Sequence, residues 1–118
     1  MSQLSEIRDA MREFADARGW ARFHDPKSLV LALTGEVGEL AELLQWLPAE
    51  EVAAMVREPA LSQRVGEELA DVLLYLVLLA DVCEVDLAQA ALEKITAAQT
   101  RYPARDVQGV APRPRGLT

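Results

Sequence analysis

Apolar residues recur at helical spacing through most of this 118-residue chain. The apolar positions of the first such segment are Leu4, Ile7, Met11 and Phe14. Their spacing of three and four predicts an amphipathic helix that ends near Gly19. A second helix is predicted over residues 27–46, because Asp25 suits its cap and Pro26 suits its first helical position.

Two more long helices and a short one are predicted further along the chain. Residues 61–83 carry an apolar side so wide that we expect much of this helix to be buried. That apolar side comprises Val65, Leu69, Val72, Leu76 and Leu79. Asp86 suits the cap of the last helix, with Gln89 at the capping-box position, and Pro103 ends it. A short helix can form within residues 48–59, between two prolines.

Composition places these helices in one domain. The chain is 51% hydrophobic and only 5% aromatic, which favours an all-α, four-helix bundle over a sandwich or barrel. We expect one helical domain over residues 1–102 and a flexible tail over residues 103–118, where Pro, Gly and Arg leave little to bury. Helices this apolar leave surface that a short monomer covers poorly, so a homo-oligomer is expected.

Charge and cysteine content narrow the class of protein. The formal net charge of -7 argues against a partner that is a nucleic-acid polymer. The N-terminus lacks signal-peptide features, and the most apolar run, residues 72–80, is shorter than the roughly 20 residues that cross a membrane. Cys83 has no partner for an internal disulfide and lies in an apolar segment, where we expect it to be buried. A reducing cytoplasm fits this pattern.

Two pairs of acidic residues interrupt the apolar helices. Glu36 and Glu39 share one face of the second helix, as Glu68 and Asp71 do on the third. If these helices pack together, the carboxylates converge, and ligation by oxygen alone suits Mg²⁺ or Mn²⁺. Zinc and di-iron sites in helical bundles typically use His in a Glu-x-x-His pair, and the single His24 lies outside both helices. The alternative, charged faces that hold no ion, stays open on these residues alone.

Other side chains suit a phosphoanhydride substrate. Trp20 and Phe23 lie on a predicted turn, where they either close the end of the bundle or stack on a ligand. Tyr75 continues the stripe of Glu68 and Asp71, while Lys94 and Arg101 are either anion ligands or solvated cations near a helix end. The reaction class that these residues favour is hydrolysis, in which a cation activates water and a carboxylate accepts its proton.

A set of motifs strengthens this hypothesis. The motifs are Trp20, Phe23-His24-x-Pro26, Gly35-Glu36-Val37-Gly38-Glu39-Leu40-Ala41-Glu42, Gln45-Trp46, Glu67-Glu68-Leu69-x-Asp71 and Arg101-Tyr102-Pro103. Through them the chain resembles the MazG-like all-α nucleoside triphosphate pyrophosphohydrolases, and among these the dCTP pyrophosphatase group. The resemblance extends from about residue 14 to residue 103.

The resemblance implies a helical protomer that forms a homotetramer or dimer, with sites completed across the interface. It implies Mg²⁺ at Glu36, Glu39, Glu68 and Asp71. It also implies a pocket for base and sugar at Trp20, Trp46 and Tyr75, with His24 and Lys27 nearby, and basic groups near the phosphates at Lys94 and Arg101. The implied reaction converts a dNTP, dCTP or 5-modified dCTP, to dNMP and pyrophosphate and so cleans the nucleotide pool. We assign Glu39 to orient or deprotonate the water.

Two positions depart from the pattern of the dCTP pyrophosphatase group. Met11 stands where that group often has His, and Ala98 stands where it often has Asn. Both positions are associated with substrate contact. The contrasting hypothesis is therefore a helical, oligomeric nucleotide-binding or sensing module with little turnover.

Overall fold

The computed structural model describes residues 2–111, which form helices joined by turns and contain no strand. The helices are α1 (Gln3–Ala17), α2 (Pro26–Leu44), α3 (Val52–Met55), α4 (Pro59–Val82), α5 (Leu87–Arg101) and α6 (Ala104–Val107). A 3₁₀ turn, Ala21–Phe23, precedes α2. The all-α fold class is thus confirmed, and the four long helices lie where the apolar spacing predicted them. The described chain divides into two compact units, the first ending at Val85 and the second beginning at Asp86.

Side-chain caps fix where the long helices begin. The carboxylate of Asp25 accepts hydrogen bonds from the backbone N–H of Ser28, at 2.9 Å, and from its hydroxyl, at 2.7 Å. Asp86 accepts from the backbone N–H of Gln89 at 3.0 Å. These bonds satisfy N–H groups that lack a partner inside the helix. Both predicted caps are confirmed.

A small core forms where α1 and α2 pack on α4. Its buried side chains are Ala15, Leu29, Val77 and Leu78. An ion pair also joins α1 to α4, because Arg12 donates to both carboxylate oxygens of Asp81, from Nε at 2.7 Å and from Nη2. The Arg12 guanidinium lowers the pKa of Asp81 below its ordinary value of 3.8. The pair links α1 to α4 at the surface.

The predicted burial of α4 is only partly right. Val77 and Leu78 are buried, but Leu69 and Leu76, which belong to the predicted apolar side, are exposed. The single chain packs α1 and α2 on α4, and these two helices leave part of its wide apolar side uncovered.

The predicted burial of Cys83 is wrong, because the thiol is exposed. Cys83 is the residue at which α4 ends, and its N–H donates to the carbonyl of Leu79 at 3.1 Å. The chain then turns at Glu84, whose φ is +56°. Cys83 thus belongs to a helix end and not to the packed part of the apolar run.

The last residues of the chain are only partly described. Helix α6 occupies Ala104–Val107, within the predicted tail, and residues 112–118 lie outside the described part. The division into a domain at 1–102 and a flexible tail at 103–118 stays a prediction. Among the described residues, no helix is both long enough and apolar enough to cross a membrane.

Replacing Leu29 by Ala should lower the free energy of unfolding by about 3 kcal/mol, because it leaves a cavity among α1, α2 and α4. The Leu29 side chain is 1% exposed. Leu31→Ala is the matched control at a protein concentration low enough to keep copies of the chain apart, since it removes the same atoms on the same helix from a side chain that is 62% exposed on the single chain. Urea unfolding followed by circular dichroism measures both. Equal losses in the two variants would contradict the placement of Leu29 in the core.

Candidate active site

Four carboxylates from two helices meet at one point on the first unit. They belong to Glu36 and Glu39 of α2 and to Glu68 and Asp71 of α4. One oxygen of each lies within 4.8 Å of the others. Each pair stands three residues apart and so shares a helix face, and the packing of α2 against α4 brings the two faces together. The convergence predicted from the sequence is therefore present.

Burial makes two carboxyls of this carboxylate cluster, those of Glu36 and Glu68, costly to ionise. The pKa of Glu36 is raised above its ordinary value of 4.5, first by burial and then by its hydrogen bond and charge repulsion with Glu39. The pKa of Glu68 is raised as well, again mainly by burial, with the charge of Glu39 adding to it. Four like charges this close repel one another strongly when nothing compensates them.

Two oxygens of the cluster lack a partner in residues 2–111. They are Oε2 of Glu36 and Oε2 of Glu68, which are both buried and accept no hydrogen bond there. Buried polar atoms are normally satisfied, so a missing donor or ion is the expected explanation. The donor set consists of carboxylate oxygens alone, which are the ligands that Mg²⁺ and Mn²⁺ prefer. The residues present thus fit a hard divalent cation.

An aromatic pocket of about 170 Å³ adjoins the carboxylate cluster at Asp71. Its lining residues are Met11, Phe14, Trp20, His24, Asp71, Leu74, Tyr75 and Leu78. Among the residues predicted to bind substrate, the structure brings Trp20, His24 and Tyr75 together in this one cavity. Apolar walls with a few polar groups are typical of small-molecule sites.

Local geometry presents Trp20 to the aromatic pocket. Gly19 has φ +64°, a left-handed conformation that glycine adopts without strain, and it turns the chain after α1. The backbone N–H of Trp20 then donates to the carbonyl of Ala15 at 3.0 Å. The indole packs edge-on against Phe14, with ring centroids 5.7 Å apart, yet 46% of Trp20 stays exposed. Trp20 therefore both packs on α1 and offers a surface to a ligand.

A polar groove of about 520 Å³ lies on another side of the carboxylate cluster. Its lining residues are Glu39, Glu42, Leu43, Leu61, Arg64 and Glu68. Two members of the cluster, Glu39 and Glu68, thus face the groove, while Asp71 faces the aromatic pocket.

Four of the predicted substrate-binding residues line neither cavity. Lys27 lies in the first turn of α2, and Trp46 follows the end of α2 with 84% of its surface exposed. Lys94 and Arg101 lie on α5, in the second unit. Their roles in substrate binding stay predictions.

Sequence reasoning missed part of the lining of both cavities. Phe14 belongs to the predicted apolar stripe of α1, and its place beside Tyr75 depends on how α1 packs on α4. Met11, at a position that the resemblance associates with substrate contact, lines the same pocket. Arg64 is not among the binding residues predicted from the sequence, although its spacing from Glu68 indicates that it lies near the carboxylate cluster. It stands four residues before Glu68 on α4, a spacing that places both side chains on one face.

The chain is similar to several known proteins. It is 49% identical to dCTP pyrophosphatase 1 of Bos taurus over 108 residues, which are 92% of this chain and 64% of the bovine protein. It is 50% identical to dCTP pyrophosphatase 1 of Homo sapiens over 101 residues, 86% of this chain and 59% of the human protein. The chain thus spans less than two thirds of either relative.

A solved structure and a family of domains agree with these matches. The crystal structure of a pyrophosphatase from Archaeoglobus fulgidus DSM 4304 superposes with a TM-score of 0.79 at 36% sequence identity, covering 87% of this chain and 94% of that one. Residues 24–105, which include the whole carboxylate cluster, match the MazG nucleotide pyrophosphohydrolase domain. The chain therefore belongs to the family of MazG nucleotide pyrophosphohydrolase domains.

Proposed function

We propose that this protein hydrolyses a deoxynucleoside triphosphate, dCTP or a 5-modified dCTP, to the monophosphate and pyrophosphate, and so cleans the nucleotide pool. The observation that carries this proposal is the carboxylate cluster, with its two unsatisfied buried oxygens, next to an aromatic pocket that shares Asp71. The names of the bovine and human relatives support the choice of base.

Glu36, Glu39, Glu68 and Asp71 would hold Mg²⁺, or Mn²⁺ in its place. When bound, such a cation withdraws charge from phosphate oxygens and makes a nearby water more acidic. The carboxylates of this chain supply the rest of the site: they fix the position of the phosphates relative to the pocket and accept a proton.

The chemical step balances with water as the only co-reactant. One oxygen bridges the α- and β-phosphorus atoms. The water oxygen bonds to one of these two phosphorus atoms, and the bond between that phosphorus and the bridging oxygen breaks. The bridging oxygen leaves with the other phosphorus. We assign the proton of the water to Glu39, because this exposed carboxylate lines the open groove, where water reaches it. Pyrophosphate and the monophosphate then leave.

The aromatic pocket suits the base and sugar. Trp20 and Tyr75 offer aromatic surfaces for stacking, and His24 offers a polar group at the same cavity. We assign Lys27 to the edge of this site and Lys94 and Arg101 to the phosphates.

A homo-oligomer, tetramer or dimer, completes the proposal. Large apolar side chains stay exposed on the single chain, among them Leu31, Val37, Trp46, Leu69, Leu92 and Ile95. A second copy would cover such a surface and would bring the exposed Trp46 to a site on its neighbour. We place the enzyme in the cytoplasm, with residues 1–102 as its domain.

The decisive experiment incubates the purified protein with each common dNTP and with 5-methyl-dCTP, in Mg²⁺, in Mn²⁺ and in EDTA. We expect pyrophosphate and monophosphate in equal amounts from the dCTP substrates, and none in EDTA. Release of inorganic phosphate instead would contradict cleavage between the α and β positions. Binding of nucleotide without turnover across the whole panel would favour the sensing module.

A further inference from the structure

We propose that Arg64 binds the phosphate groups that leave as pyrophosphate. The nucleotide would then lie across the carboxylate cluster, with its base in the aromatic pocket and its β- and γ-phosphates in the polar groove. This inference rests on the proposed function and adds to it a direction for the substrate and a further binding residue.

Members of the carboxylate cluster line two cavities of opposite character. Asp71 lines the aromatic pocket, whereas Glu39 and Glu68 line the polar groove. The lining of the aromatic pocket includes neither Lys nor Arg. The lining of the groove includes one guanidinium, that of Arg64.

A nucleoside triphosphate has the same asymmetry. Its base is flat and largely apolar on both faces, and its charge is concentrated on the phosphates. With the α-phosphate beside the cation ligands, the base matches the aromatic pocket, and the remaining two phosphates extend toward the groove. The reverse direction would place these anions in an apolar cavity that has no Lys or Arg in its lining, which is costly.

Arg64 is placed to meet those phosphates. It stands one helical turn before Glu68 on α4, and both side chains line the same groove. The ion pairs within residues 2–111 use Arg8, Arg12 and Arg105, so no carboxylate there engages Arg64. An exposed guanidinium can bind two phosphate oxygens at once.

The groove also contains charge that opposes an anion. Glu39, Glu42 and Glu68 all line it. A divalent cation on the cluster would offset two of the four negative charges there, and Arg64 would offset the charge of Glu42. Binding of pyrophosphate in this groove is therefore expected only when Mg²⁺ is present.

The test measures product binding by calorimetry, in Mg²⁺, on the full chain and on Arg64→Ala. The two probes are pyrophosphate and dCMP. We expect Arg64→Ala to weaken pyrophosphate binding about tenfold, the effect of losing a hydrogen-bonded charge pair. Binding of dCMP should change less than about twofold, because its base and single phosphate lie on the other side of the cluster. Arg64→Lys keeps the charge without the paired donors, so its affinity for pyrophosphate should lie between those of the parent chain and Arg64→Ala.

Arg57→Ala is the matched control, because Arg57 is exposed, lies two residues before α4 and lines neither cavity. It should leave both affinities unchanged. Equal pyrophosphate affinity in the full chain and Arg64→Ala, no pyrophosphate binding at all, or an equal loss for dCMP would each overturn the proposal. Because the assay needs no turnover, its failure is distinct from failure of the hydrolysis experiment.

Discussion

Replacing Glu39 by Gln is expected to lower turnover by about a thousandfold or more, while the helices are kept. The amide has almost the same shape as the carboxylate, but it neither accepts the proton of the water nor neutralises a cation. General-base catalysis and cation binding each contribute on the order of a hundredfold or more, and this single change affects both. Glu39 is exposed, so its replacement leaves no cavity.

The control for this experiment is Glu50→Gln, which makes the same chemical change at an exposed turn residue before α3. Steady-state release of pyrophosphate, measured at saturating Mg²⁺, compares the two variants with the parent chain. Circular dichroism verifies that both remain folded. Turnover of Glu39→Gln at the parent rate would remove Glu39 from both of its proposed roles.

Local signals in the sequence predicted the helices and their ends. Asp25 and Asp86 are each followed by helical spacing of apolar residues, and caps of this kind depend only on the next three residues. The convergence of Glu36 and Glu68 was also predictable, because it needs only two apolar helix faces to pack. Features of this kind arise within one element or from the contact of two.

Features that depend on how a further helix packs on α2 and α4, or on where a helix ends, could not be predicted from such local signals. The aromatic pocket needs α1 at one position along α4, which brings Phe14 beside Tyr75, and the Arg12–Asp81 pair between these helices joins residues far apart in the sequence. The exposure of Cys83 depends on where α4 ends, and helix ends are the least regular part of an apolar pattern. Lys94 and Arg101 belong to the second unit and Trp46 is 84% exposed, so their roles in substrate binding stay predictions.

Glu68→Gln is expected to raise the stability of the metal-free protein at neutral pH and to abolish most of its stabilisation by Mg²⁺. The pKa of the Glu68 carboxyl is raised, so the folded state holds its proton more tightly than the unfolded state does. Between the ordinary value of 4.5 and the raised folded value, unfolding therefore releases a proton, and stability falls as pH rises. Above that window the full cost of the buried charge is present, and a neutral Gln avoids it.

Thermal unfolding of the parent chain and of Glu68→Gln, in EDTA and in Mg²⁺ from pH 5 to pH 8, tests this reasoning. At Mg²⁺ a hundredfold above its dissociation constant, the parent chain should melt about 10 °C higher than in EDTA, and the gain should shrink toward pH 5 as the carboxyls take up protons. The lowered pKa of Asp81 acts below its ordinary value of 3.8, outside this range. Glu67→Gln makes the same change one residue away, on an exposed side chain, and should behave like the parent chain. A metal-free Glu68→Gln that melts below the parent chain at pH 8 would show that repulsion within the cluster does not limit its stability.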